Sequence, residues 1–240
     1  MMITLLGVGH VFRIAEPVAF IVKNIWPDAV LVELDQKRYD AMTSAERPGA
    51  SEGDDRPPAL KKTANTQMKM AEAHGAQLGA ELLAAIETGR TIGAFVELID
   101  VDASRMMQDA WKEMPFLEKM RFGFSAMGDK IRPKKRVDRV HQRYSDNEEE
   151  YFAWMRKKYP TLVRKVIDER DIHMAGKINE ASEKYDNIVV VIGDGHIDGI
   201  SKLLTGKSIR KIRLKTLMDT ESMNALRAEL WSGRTAEENE

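Results

Sequence analysis

Three short stretches of this 240-residue chain are almost continuously apolar: Ile3–Val8 (ITLLGV), Asp28–Leu34 (DAVLVEL) and Asn187–Ile192 (NIVVVI). Runs of that length without strict alternation suit strands buried on both faces of a parallel sheet. Between the first two, Val18, Ile21, Val22, Ile25 and Trp26 recur at helical spacing, with Pro17 predicted to open the helix and Pro27 to close it. Strand, helix and strand joined by short links make a βαβ unit, which requires parallel strands. Thr91–Asp100 and Ser208–Leu214 read as two further strands. A long helix is expected over roughly Asn65–Thr88, and mostly helical chain from Ala103 to Tyr185. That region is broken at Gly128–Arg136 by Pro133 and resumes at Pro160. A last amphipathic helix carries Leu217, Met218, Leu226 and Leu230.

The expected fold class is therefore α/β: a central, mostly parallel sheet flanked by helices, with a large helical segment between the terminal strands. One domain is expected over residues 1–240. Within it, residues 43–64, polar and rich in Pro and Gly, read as a flexible insertion or lid, and residues 232–240 as a disordered tail.

The ends of the chain echo each other. Gly7, Gly9 and His10 follow the first strand, and Gly193, Gly195 and His196 follow the Asn187–Ile192 run. The glycines are expected to let the backbone turn sharply at each strand exit. In parallel sheets ligands gather at the carboxyl ends of strands. Glu33, near the end of the second strand, and Asp100, ending the third, point to the same edge. Two imidazoles and a carboxylate there can hold a divalent cation with open positions for water. Alternatively one His takes a proton from water while Glu33 orients it. A dinucleotide-binding reading fails, because Phe12 and Asp198 stand where the third glycine of G-x-G-x-x-G belongs.

A second anomaly lies in VRKVIDERDIHMAGKI. On a helix from Pro160, Val163, Val166, Ile167, Met174, Ile178 and Ala181 form an apolar stripe, and Arg170 falls in its middle. Such an arginine needs a carboxylate or an anion. It either forms a structural ion pair, with Glu33 or Asp100 as partners, or binds a substrate carboxylate or developing oxyanion. Glu169, Asp171 and His173 fall off the stripe and are expected to be solvated.

Composition narrows the function classes. There are no cysteines, which removes disulfides, thiolate metal sites and a cysteine nucleophile. The net charge is −1, so no global field favours nucleic acid. The basic run Lys130–Arg143 is balanced directly by the acidic Ser145–Glu150 and reads as solvated surface. No apolar run reaches the length of a membrane span, and the opening residues lack a cationic leader. A cytoplasmic protein without nucleic-acid partner or membrane span is expected, with a symmetric homodimer as the default assembly.

These residues resemble the TraB family, the pheromone-shutdown group, and more distantly the Tiki proteases and erythromycin esterases. The likeness rests on Gly7 and His10; on VELDQKR with Glu33, Asp35 and Arg38; on GAQLGAELLAAI with Gly75, Gly79 and Glu81; on IDERDIHMAGKI with Glu169, Arg170, Asp171 and Met174; and on GDGHIDGI with Gly193, Gly195, His196, Gly199 and Ile200. The resemblance implies an erythromycin-esterase/TraB-like α/β fold with a pseudo-repeated pair of G-x-x-H elements around one cleft. It implies a hydrolase, as a metal-dependent peptidase acting on peptides. His10, Glu33 and His196 would be the hydrolytic or metal-binding set, with manganese, cobalt or zinc as the ion and Arg170 supporting it; Arg170, Asp100 and Glu81 are the candidate substrate-binding residues. The alternatives are a protein that sequesters a peptide signal without cutting it, and a metal-free esterase-type hydrolase using His10 as base. The chain departs from the family pattern at Val101 and Asp109, where relatives often carry arginine, so substrate binding is expected to differ. Many relatives also carry a membrane region after the domain; ending at Glu240 without one, the chain is expected to be a soluble form or an excised domain.

Overall fold

The computed structural model describes residues 1–9, 12–44, 79–128 and 148–237. Most of the expected lid, the first half of the expected Asn65–Thr88 helix, the Pro133 break and the basic run lie outside the described residues, as do His10 and residues 238–240 of the expected tail. The structure divides into two compact units. In its described parts, one unit draws on residues 1–9, 12–43, 79–101 and 171–237, and the other on 44, 102–128 and 148–170.

The first unit is built on five parallel strands: β1 (Met2–Val8), β2 (Ala29–Val32), β3 (Phe95–Leu98), β4 (Asn187–Gly193) and β5 (Ile209–Ile212). Their order across the sheet is β3-β2-β4-β1-β5. The central strands are buried on both faces, whereas β3 and β5, at the edges, are partly exposed. Alternate residues feed two separate cores. Leu6, Val30, Val32, Val189 and Val191 pack with α1 (Ala15–Ile25) and with the helix Ala80–Thr91. Leu5, Leu31, Ile188, Val190 and Ile192 pack with the helices Glu169–Ser182 and Ile197–Leu203. The continuous apolar runs thus reflect two helix layers, each needing one half of every strand.

Element boundaries differ from the sequence reading where local backbone chemistry intervenes. The first helix begins at Ala15, so Pro17 sits within its first turn, where a missing N–H costs no helical hydrogen bond. It ends at Trp26, which takes a left-handed conformation (φ 50°) ahead of Pro27. After α2 (Gln36–Thr43), the helix α3 (Ala80–Thr91) continues to Thr91, and Gly93, at φ 81°, turns the chain into β3. The expected strand from Thr91 is shortened accordingly. The final helix is two pieces, Leu214–Met218 and Thr220–Glu237, parted at Asp219, whose carboxylate accepts a hydrogen bond from the Ser222 N–H. Hydrogen bonds from the Ser222 hydroxyl and then from its N–H hold the Asp219 carboxyl below its ordinary value.

The second unit is helical: α4 (Ala103–Glu113), α5 (Phe116–Gly128), α6 (Glu148–Lys158) and α7 (Pro160–Val163), running into a π-helical turn at Arg164–Asp168. Ala110, Met114, Tyr159 and Leu162 form its buried core, with Trp111 and Phe122 packed against it. Phe122 meets Trp111 and Tyr159 edge-on. Glu118, nearly fully buried, accepts hydrogen bonds from the Thr161 and Leu162 N–H groups and so caps the start of α7. Pro160 opens that helix as the sequence predicts. The chain continues through the π turn into α8 (Glu169–Ser182), and after β4 into α9 (Ile197–Leu203), then α10 (Leu214–Met218) and α11 (Thr220–Glu237).

Candidate functional site

All five strands being parallel, their carboxyl ends share one edge. The chain leaving β1 leads to α1 on one face, and the chain leaving β4 leads to α9 on the other. Neighbouring strands whose exits part to opposite faces open a crevice above the sheet edge, where ligands of α/β proteins bind. Val8 lies opposite Gly193 in the register, so the two Gly-rich phrases start side by side. His10 itself lies outside the described residues.

Glu33 and His196 are brought together. Glu33 follows β2 directly; its N–H donates to the Val191 carbonyl at 2.9 Å, and its side chain is buried. Oε2 accepts the Gly193 N–H at 2.6 Å. Oε1 lies 3.5 Å from His196 Nε2. His196 ends a single 3-10 turn, Asp194–His196, that β4 feeds directly. Its other nitrogen, Nδ1, is 2.6 Å from Asp171 Oδ1. Each side of the imidazole therefore meets a carboxylate, and only 8% of the histidine is exposed.

Asp171 is the residue that sequence reasoning placed wrongly: only 5% of it is exposed, not solvated surface. A helical projection from Pro160 assumes 3.6 residues per turn throughout. The π turn at Arg164–Asp168 lies before Asp171, and within α8 Asp171 stands three and four residues before Met174 and Ala175, beside the buried stripe. Beyond the turn, the buried face of α8 takes in Arg170, Asp171, Met174, Ala175 and Ile178. The available signal was Gly199, three residues after His196. A Cβ there would overlap Asp171 Oδ2, so the glycine keeps the space the carboxylate fills.

The glycines of the first phrase work in the same way. Among the described residues, positive φ at glycine occurs at Gly79, Gly93 and Gly206, not at Gly7, Gly9, Gly193 or Gly195. Gly7 lies within β1, and a Cβ on it would overlap Asp194 Oδ1 and crowd Ile197. Gly9 is hemmed in by Leu214 and Phe12. Close approach, rather than a sharp turn, explains why a side chain is excluded at both positions. Asp194 is itself buried; it accepts Arg213 Nε and Nη2 at 3.2 and 3.0 Å and the Leu214 N–H at 2.7 Å.

The remaining candidates are placed as follows. The buried Asp100 carboxylate accepts the Val101 N–H and lies 3.7 Å from Arg38 Nη1. Glu81 is buried in the first turn of α3, where the helix N-terminus favours negative charge. Arg170 is buried in the helical unit, as its position on the stripe predicts, and its Nη1 donates to the Val166 carbonyl at 3.2 Å.

Donor chemistry at the strand edge fits a divalent ion. Two ligands bound at about 2.0–2.2 Å to one tetrahedral centre stand roughly 3.4 Å apart, close to the 3.5 Å between His196 Nε2 and Glu33 Oε1. Metal-binding imidazoles commonly give their second nitrogen to a carboxylate, and Asp171 occupies that position. Among the described residues, no group of three or more His, Asp or Glu is arranged around one ion position.

Fold and edge together define an α/β protein with its candidate site at the carboxyl end of a parallel sheet. The chain belongs to the TraB/PrgY/gumN family, whose sequence pattern it matches over residues 2–213. It is 28% identical over 218 residues to an uncharacterized protein of Methanocaldococcus jannaschii, an alignment covering 84% of this chain and 53% of that protein. The chain thus spans about half the length of the curated relative it matches. Among the described residues, no helix is long and apolar enough to cross a membrane.

Proposed function

We propose that this protein is a hydrolase, a metal-dependent peptidase acting on peptides, with its centre at the exits of β1, β2 and β4. The observation that carries the reading is the pairing of Glu33 Oε1 with His196 Nε2 across 3.5 Å at the sheet's carboxyl edge. His10 is the expected third ligand, two residues beyond the strand end that lies opposite Gly193. A divalent ion bound there supplies an activated water and a Lewis acid for the scissile carbonyl. The Gly193 N–H holds Glu33 Oε2 and leaves Oε1 directed at the imidazole. Asp171 holds the far side of His196. The resemblance gives Arg170 a role supporting this set, and its place on the apolar stripe suits an electrophile for a substrate carboxylate or a developing oxyanion.

The test is cleavage of a peptide mixture, followed by mass spectrometry, with and without a chelator. The expected result is cleavage that stops on chelation, returns with manganese, cobalt or zinc, and is lost in His196→Ala and Glu33→Gln. Cleavage that survives the chelator would favour the metal-free hydrolase with His10 as base. Peptide that binds but stays intact would favour sequestration.

A further inference from the structure

We infer that Asp171 is a positioning residue that fixes which nitrogen of His196 faces Glu33. The Asp171 carboxylate is buried, and Oδ1 stands 2.6 Å from Nδ1, a distance at which a hydrogen must lie between them. An ionised carboxylate only accepts, so Nδ1 carries that hydrogen whether the ring is neutral or charged. Nε2 is then the nitrogen turned to Glu33. Gly199 completes the device, because any side chain there would displace Oδ2 from its seat. Three segments far apart in sequence, Asp171, His196 and Gly199 on one side and Glu33 on the other, are thereby set in one orientation. The consequence for an ion rests on the proposed reading of the site; the ring's orientation does not.

Two measurements on the full chain separate those levels. In protein without added metal, 15N-labelled imidazole spectra of the wild type should show a hydrogen on His196 Nδ1, with its proton shifted far downfield. That downfield shift should be lost in Asp171→Asn and in Gly199→Ala. An Nδ1 without hydrogen in the wild type overturns the inference. With zinc, the ring should coordinate through Nε2, and each variant should bind zinc about 10- to 100-fold more weakly. Coordination through Nδ1, or variants that lose thermal stability while keeping wild-type zinc affinity, also overturns it. A wild type that binds no zinc, manganese or cobalt yet shows the Nδ1 hydrogen and its loss in both variants contradicts the metal reading and sustains the positioning role.

Discussion

Two buried aspartates flank the turn that carries His196, and they are used differently. Asp194 accepts hydrogen bonds from the Arg213 guanidinium and the Leu214 amide, which tie the end of β4 to the segment after β5. Asp171 meets the His196 ring, a group able to bind a cation through its other nitrogen. Both sit against a glycine, Asp194 beside Gly7 and Asp171 beside Gly199, because a carboxylate can come that close only where no Cβ stands. The same packing device therefore serves the fold in one case and, on our reading, the chemistry in the other. A buried carboxylate near a candidate site has to be judged by what it holds.

This contrast can be broken by substitution. Asp194→Ala removes the acceptor of the Leu214 amide and one counter-charge of Arg213, and loss of one member of a buried ion pair costs about 3–5 kcal/mol. Urea unfolding should show a loss of that order, with no selective change at the His196 ring. A stability close to wild type would mean that the remaining partners of Arg213, Asp198 among them, suffice.

Gly7→Ala should be next in effect. The added methyl drives against Asp194 Oδ1 and the Ile197 side chain, and such overpacking costs about 1–3 kcal/mol. Thermal melting checks this. A neutral Gly7→Ala would place the tight contact elsewhere.

The smallest effect belongs to Asp198, whose side chain is more than half exposed. Hydrogen bonds from Lys211 and then Arg213 hold its carboxyl below the ordinary range, against the opposing effect of its partial burial. A depressed folded-state value contributes stability above the unfolded value of about 4 and loses it as pH falls through the folded one. Solvent screening keeps the contribution below about 1 kcal/mol. Asp198→Asn should lower the melting temperature slightly at neutral pH and not at all in strong acid. An equal deficit at both would refute the electrostatic cause.

The parts of this structure legible in sequence are those set by local pattern. β1, β2 and β4 declare themselves because strands covered by helices on both faces must be apolar at nearly every position. Glu33 was legible because it stands directly after such a strand, and His196 because its Gly-x-Gly-His phrase follows another and echoes the one after β1. Asp171 was not, since it stands at the edge of the apolar stripe and its burial depends on an imidazole from a distant segment. Gly7 and Gly199 were visible as glycines, but their reason is tertiary: the neighbour each one admits is a carboxylate from elsewhere in the chain.

The most direct test of the account is the divalent metal content of the purified full chain, measured by elemental analysis alongside His196→Ala and Glu33→Gln. The account predicts a stoichiometric divalent ion in the wild type and its loss in both variants. A metal content unchanged by the two substitutions, or none in a wild type that still cleaves peptide, would contradict it.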